Sequence, residues 1–84
     1  MYEIIFDEEA IEFLEKIEKN TRKRIYNKII STKQDPFHYF ERLIGRSEFK
    51  LRVGDYRAIA DIDETTKRIS ILVIDHRKNI YKKK

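Results

Sequence analysis

The chain has no cysteine and no tryptophan, a single proline and only two glycines in 84 residues. Without cysteine there is no disulfide framework and no thiolate metal site. The two histidines, His38 and His76, lie far apart and cannot make a zinc site by themselves. Two isolated glycines cannot build a glycine-rich phosphate loop, and no metal-ligand spacing is present, so no cofactor or metal is expected. No apolar run approaches the ~20 residues needed to span a bilayer. The opening segment Met1-Tyr2-Glu3-Ile4-Ile5-Phe6-Asp7 turns acidic at once and lacks the basic start of a secretory signal. These absences lead us to expect a soluble, cytoplasmic protein without a membrane partner.

Charge is abundant instead: 40% of residues are Asp, Glu, Lys or Arg, with a net charge of +4. Its distribution is uneven. Residues 1–20 hold seven acids and two bases, a balance of −5, and residues 21–84 hold 17 bases and eight acids, a balance of +9. An acidic first element and a basic remainder suit a phosphate-rich ligand approached from one side. A chain of this length makes one domain with a small core, and we read residues 1–84 as that domain, with Lys82-Lys83-Lys84 as a disordered tail.

Tyr2 to Phe6 reads as a short strand. Asp7 is a candidate N-cap, with Glu8 and Glu9 in the first turn, where the helix dipole favours acids. Ala10, Phe13, Leu14 and Ile17 then follow at helical spacing, giving a helix to about residue 18. Asn20-Thr21 should break it and cap a second helix, whose apolar stripe is Ile25, Tyr26, Ile29 and Ile30 and which stops before Asp35-Pro36. Residues 35–46 read as a loop. Three strands follow at about 47–53, 55–63 and 68–76, the first two joined by a tight Gly54-Asp55 turn. The predicted order is βααβββ, an α+β fold with two helices packed on one face of a small, mainly antiparallel twisted sheet. Its other face is then free to work.

Side chains alternate along strands. If Phe49, Leu51, Val53, Ala58, Ala60 and Ile62 face the helices, then Lys50, Arg52 and Arg57 line the open face, and at least one of His76 and Arg77 reaches it as the last strand ends. Tyr81 is close enough in sequence to fold over it. Each residue taken singly also has a plainer role. Cations on an open sheet face are often only solvated and discourage edge-to-edge pairing. His76 and His38 alone are more often structural, Tyr81 alone a core or capping aromatic, and the basic residues of the second helix a solvated face. Together, however, Lys50, Arg52, Arg57, His76, Arg77 and Tyr81 compose a site for phosphate, hence for nucleic acid.

The element order, the run Leu51-Arg52-Val53-Gly54-Asp55-Tyr56-Arg57 and the ending Asp75-His76-Arg77-x-x-x-Tyr81 resemble the RelE/ParE superfamily of toxins of type II toxin–antitoxin systems. The resemblance covers nearly the whole chain. It implies a ribosome-dependent, metal-independent endoribonuclease that cuts mRNA in the ribosomal A site, inhibits translation, and is held inactive by an acidic, RelB-like antitoxin in a hetero-oligomer. The 2′-hydroxyl of the RNA is the implied nucleophile. Carried over position by position, Arg57 and Arg77 would hold the scissile phosphate with help from Arg52, Tyr81 would stack on or orient a base, and Lys50 would assist proton transfer. Some members carry a second lysine two residues before the Lys50 position. This chain has Glu48 there, which admits a second arrangement with Glu48 as base and His76 as acid. Members of the same superfamily that poison DNA gyrase, and a non-enzymatic RNA- or partner-binding module of this fold, are the alternatives.

Overall fold

The computed structural model describes residues 1–77. Five strands and three helices occur in the order β1 (Glu3–Phe6), α1 (Glu8–Lys16), α2 (Lys19–Ile30), α3 (Pro36–Tyr39), β2 (Glu41–Arg42), β3 (Phe49–Val53), β4 (Tyr56–Asp63) and β5 (Arg68–His76). They form one sheet ordered β1-β5-β4-β3-β2. Only the β1–β5 pairing is parallel, because the α1–α2 hairpin carries the chain back over the sheet before the antiparallel strands are laid down.

The expected α+β architecture is present, with four local differences. The first is at the start of α2, which begins at Lys19, before Asn20-Thr21. Its cap is Glu18, whose Oε1 accepts the Thr21 N–H at 3.0 Å and the Thr21 hydroxyl at 3.1 Å. The N–H groups of Thr21 and Asn20, then the Thr21 hydroxyl, hold the Glu18 carboxyl below its usual range. Arg22 closes the hairpin by donating from Nε to the Leu14 carbonyl at 2.7 Å, which satisfies an open carbonyl at the end of α1.

The second difference is at the end of α2, which stops at Ile30, well short of Pro36. The Ser31 and Thr32 hydroxyls donate back to the Lys28 and Ile29 carbonyls at 2.6 and 2.7 Å, competing with continued helix. Third, the segment read as a loop contains α3, started by Pro36 in the first turn, and the two-residue strand β2.

The fourth difference lies in β5. Its register with β4 shifts between Ile59 and Ala60: Ile59 stands opposite Val73, and Ala60 opposite Ile71. Leu72 is therefore an extra residue, a bulge. Ile69, Ile71 and Ile74 face the helices in the main core with Ala10, Leu14, Ile25, Ile29, Phe49, Leu51, Ala58 and Ala60. Leu72 and Val73 both pack on the opposite side, against Leu43 and Ile59. An almost continuous apolar strand is thus explained by a phase change that lets it serve both faces.

Candidate functional site

One tight turn places the cations. Gly54 sits at φ +59°, a left-handed conformation that glycine adopts without steric cost, and this closes the β3–β4 turn. The turn fixes the register so that Arg52 stands opposite Arg57, and Lys50 opposite Ile59. Residues paired across a sheet share a face, so Arg57 is flanked by Arg52 on β3 and by Asp75 on β5. One row further along, Glu41, Lys50, Ile59 and Val73 stand side by side.

Lys50, Arg52 and Arg57 line one concavity of about 330 Å³. Among the described residues, Lys28 of α2, His38 and Tyr39 of α3, Glu41 and Leu51 also line it. Glu41 is the single acid there. Its Oε1 is 3.9 Å from Lys50 Nζ and its side chain is largely exposed, so the pair is loose and screened. The surroundings are strongly electropositive and partly walled, conditions under which an anion is attracted and its interactions are strengthened. Arrayed guanidinium groups also suit the oxygens of a phosphodiester, which they bind through paired N–H donors.

The remaining candidate residues are placed differently. Arg77 follows β5, and its backbone N–H donates to the Asp55 carbonyl at 2.7 Å, bringing it to the Gly54-Asp55 turn rather than to the wall of the concavity. His76 pairs with Tyr56 across β4–β5 and their rings meet edge to face at 5.5 Å, while Tyr56 in turn meets Phe13 of α1 at 5.9 Å. His76 therefore lies on the helix side of the sheet, and it is Asp75, 8% exposed, that shares the open face with Arg57. Glu48 is bonded to Arg46, Oε1 to Nε, at 2.8 Å, outside the concavity. A Glu48–His76 acid–base pair would have to act from opposite sides of the sheet. Tyr81 and the tail at 82–84 lie outside the described residues.

Lys28, His38 and Tyr39 were not picked out as site residues. The expected solvated face of α2 and the expected structural His38 both border the cations. The signal that could have found them is the pair Pro36 and Phe40, which are buried and anchor α3, leaving the residues between them turned outward. Among the described residues no cluster of His, Cys, Asp and Glu could hold a metal ion, and no helix is long and apolar enough to cross a membrane.

A small basic α+β chain with a βααβββ core and a cationic sheet face defines a class, and comparison with known proteins supplies the family. The profile described as ParE toxin of type II toxin-antitoxin system, parDE, matches residues 4–81. The chain belongs to this family of the RelE/ParE toxins, and is the toxin of a type II toxin–antitoxin system. Among solved structures, it is similar to a chain of the RelBE2 toxin–antitoxin complex of Mycobacterium tuberculosis, with 24% identity over 90% of this chain and 98% of that one, TM-score 0.81. The archaeal RelE–RelB complex of Pyrococcus horikoshii gives 22% identity, 90% and 94% coverage and a TM-score of 0.78. The isolated RelE toxin of Escherichia coli gives 18%, 99% and 94%, and 0.77. At these identities the likeness is one of fold. No curated protein matches the chain.

Proposed function

We propose that this toxin is a ribosome-dependent, metal-independent endoribonuclease that cuts mRNA in the A site. The observation that carries the reading is the convergence of Lys50, Arg52 and Arg57 with Lys28 around one concavity that holds a single, loosely paired acid. In the proposed step the 2′-hydroxyl oxygen attacks the adjacent phosphorus and loses its proton. The phosphorus–5′-oxygen bond breaks, and the 5′-oxygen gains a proton, leaving a 2′,3′-cyclic phosphate and a 5′-hydroxyl. The pentacoordinate phosphorane carries extra negative charge on its equatorial oxygens, which Arg52 and Arg57 would stabilise. Arg77, at the turn beside them, would bind a flanking phosphate, and Tyr81 would stack on a base. Lys50 or the ribosome itself would move the protons. A site that holds its substrate mainly through charge gains most from a partner that orients it, which is why free RNA should be a poor substrate.

The partner that restrains the toxin is proposed to be an acidic, RelB-like antitoxin. In support, chains of this fold are found in RelB–RelE complexes from M. tuberculosis, P. horikoshii, E. coli and Methanococcus jannaschii. A second reading, poisoning of DNA gyrase, is favoured by one observation: the matching family profile is that of ParE.

Cleavage of mRNA on programmed ribosomes with an empty A site separates the two. The native protein should cut and Arg77→Ala should not. A well-folded native protein that leaves mRNA intact but inhibits gyrase supercoiling establishes the second reading. Equal cleavage by native protein and Arg77→Ala removes Arg77 from the site. Binding should also weaken steeply as salt rises, because each neutralised phosphate releases counterions.

A further inference from the structure

The electropositive surface does not stop at the sheet. Among the described residues β2 pairs with β3 only at Phe49 and Lys50. From Leu51 onward no strand lies outside β3, and α2 and α3 stand beside that edge. Two cations of α2 point there. Lys28 borders the concavity, and Arg24, one helical turn earlier, lies over the Gly54 turn, where a side-chain carbon at position 54 would stand 3.0 Å from its Nη2 atom. Beside Lys28, on the border of the concavity, is an aromatic ring outside the buried core. Tyr39 is 40% exposed, Lys28 Nζ lies 5.2 Å from its ring centroid, and the His38 ring meets it edge to face at 4.8 Å. Pro36 and Phe40 are buried on either side of it, and Phe37 packs against Tyr2 and Phe49. Tyr39 is thus held at a fixed place by its neighbours while its side chain stays partly exposed.

We infer that Tyr39, with His38 and Lys28, is a nucleobase-stacking subsite, and that single-stranded RNA leaves the Arg52–Arg57 phosphate site over the β3 edge towards Lys28 and Arg24. The inference rests on reading the concavity as an RNA site. An exposed aromatic among Lys and Arg side chains is the arrangement that holds single strands, with cations on the backbone and ring faces on the bases. The size of the concavity falls in the ~300–1,000 Å³ range of clefts that take small molecules, and its lining joins one end of a nucleotide's chemistry, phosphate, to the other, the base. An acidic peptide would be served by the cations alone and gives no role to the ring.

The test is equilibrium binding of two probes to the purified toxin at low salt: a fluorescent single-stranded RNA oligonucleotide, and inorganic polyphosphate, which carries the charge without bases. Tyr39→Ala should weaken RNA binding about tenfold and leave polyphosphate binding unchanged. Tyr39→Phe should bind RNA as the native protein does, and Lys28→Ala should weaken both probes. The inference is overturned if Tyr39→Ala binds RNA like the native protein, if it loses both probes equally, if the native toxin binds no RNA, or if an acidic peptide proves to be the ligand whose binding depends on Tyr39. The ribosome assay judges the proposed function independently. Native cleavage with Tyr39-independent RNA binding sinks this inference alone, whereas Tyr39-dependent RNA binding by a protein that does not cut sinks only the proposed function.

Discussion

The two faces of the sheet are made from the same strands and do opposite work. On the helix side, Phe49, Leu51, Ala58, Ala60, Ile69, Ile71 and Ile74 are all buried in one cluster. On the other side the strands present Lys50, Arg52, Arg57 and Asp75 at the turn end, with a small apolar patch of Leu43, Ile59, Leu72 and Val73 further along. Burial of a large aliphatic side chain is worth ~1.5–3 kcal/mol, so stability is concentrated on the first face. Concentrated like charge contributes nothing to stability. The lesson is a division of labour across a single layer of backbone: substitutions on one face should change whether the protein folds, and on the other what it does.

The largest test of that division is Ile71→Ala. Ile71 is fully buried, and truncating such a residue costs ~2–5 kcal/mol. Chemical denaturation should show that loss, and the fraction that remains folded should keep its specific activity. Arg57→Ala is the converse. Losing one donor aimed at developing charge costs ~10²–10³-fold in rate, so ribosomal cleavage should collapse while the variant keeps its circular dichroism spectrum. A shift in its unfolding midpoint as large as that of Ile71→Ala would break the comparison, by showing that Arg57 belongs to the fold as much as to the site.

Gly54→Ala should fall between the faces. An alanine at φ +59° costs ~1–2 kcal/mol, and its side chain would displace the Arg24 guanidinium. We expect a modest loss of stability together with weaker RNA binding. A variant that loses stability alone would show that the turn is only a hinge point of the hairpin.

The smallest effect concerns pH and belongs to neither face. Asp63, in the β4–β5 connection, is held below its usual carboxylate range by the Thr66 and Thr65 N–H groups, and Glu18 by Thr21 and Asn20. Depressed folded-state pKa values mean stability that is present above the unfolded values and lost as pH falls through the folded ones. Both groups are exposed, so a thermal-melting series should show only a shallow fall on the acid side of their ordinary range, flattened further in the double variant Glu18→Gln, Asp63→Asn.

Much of this organisation was legible because it is local. The helical spacing of Ala10, Leu14, Ile25 and Ile29 gave both helices, and the Gly54-Asp55 turn with the alternation of Leu51, Arg52 and Val53 gave the hairpin and its cationic side. What stayed hidden depends on contacts between distant segments. Lys28 and Tyr39 are eleven positions apart and meet only because Ser31 and Thr32 end α2 early and buried Pro36 and Phe40 fold the chain back. Glu18 was passed over as a cap because its side chain is longer than those usually found there. Which of His76 and Arg77 reaches the open face was left open for another reason: strict alternation along the last strand fails once an extra residue enters it.

That extra residue, Leu72, acts as a switch in phase for everything after it. Beyond it, Val73 and Asp75 point to the open side and Ile74 and His76 to the helices. Deleting Leu72 would leave that arrangement as it is, whereas pairing Leu72 itself with Ile59 in an unbulged strand would reverse it: Ile74, not a carboxylate, would stand beside Arg57, and Asp75 would be driven against Tyr56. A bulge three residues upstream, ~10 Å along the strand, thereby sets which side chain joins the cationic row without touching any residue in it.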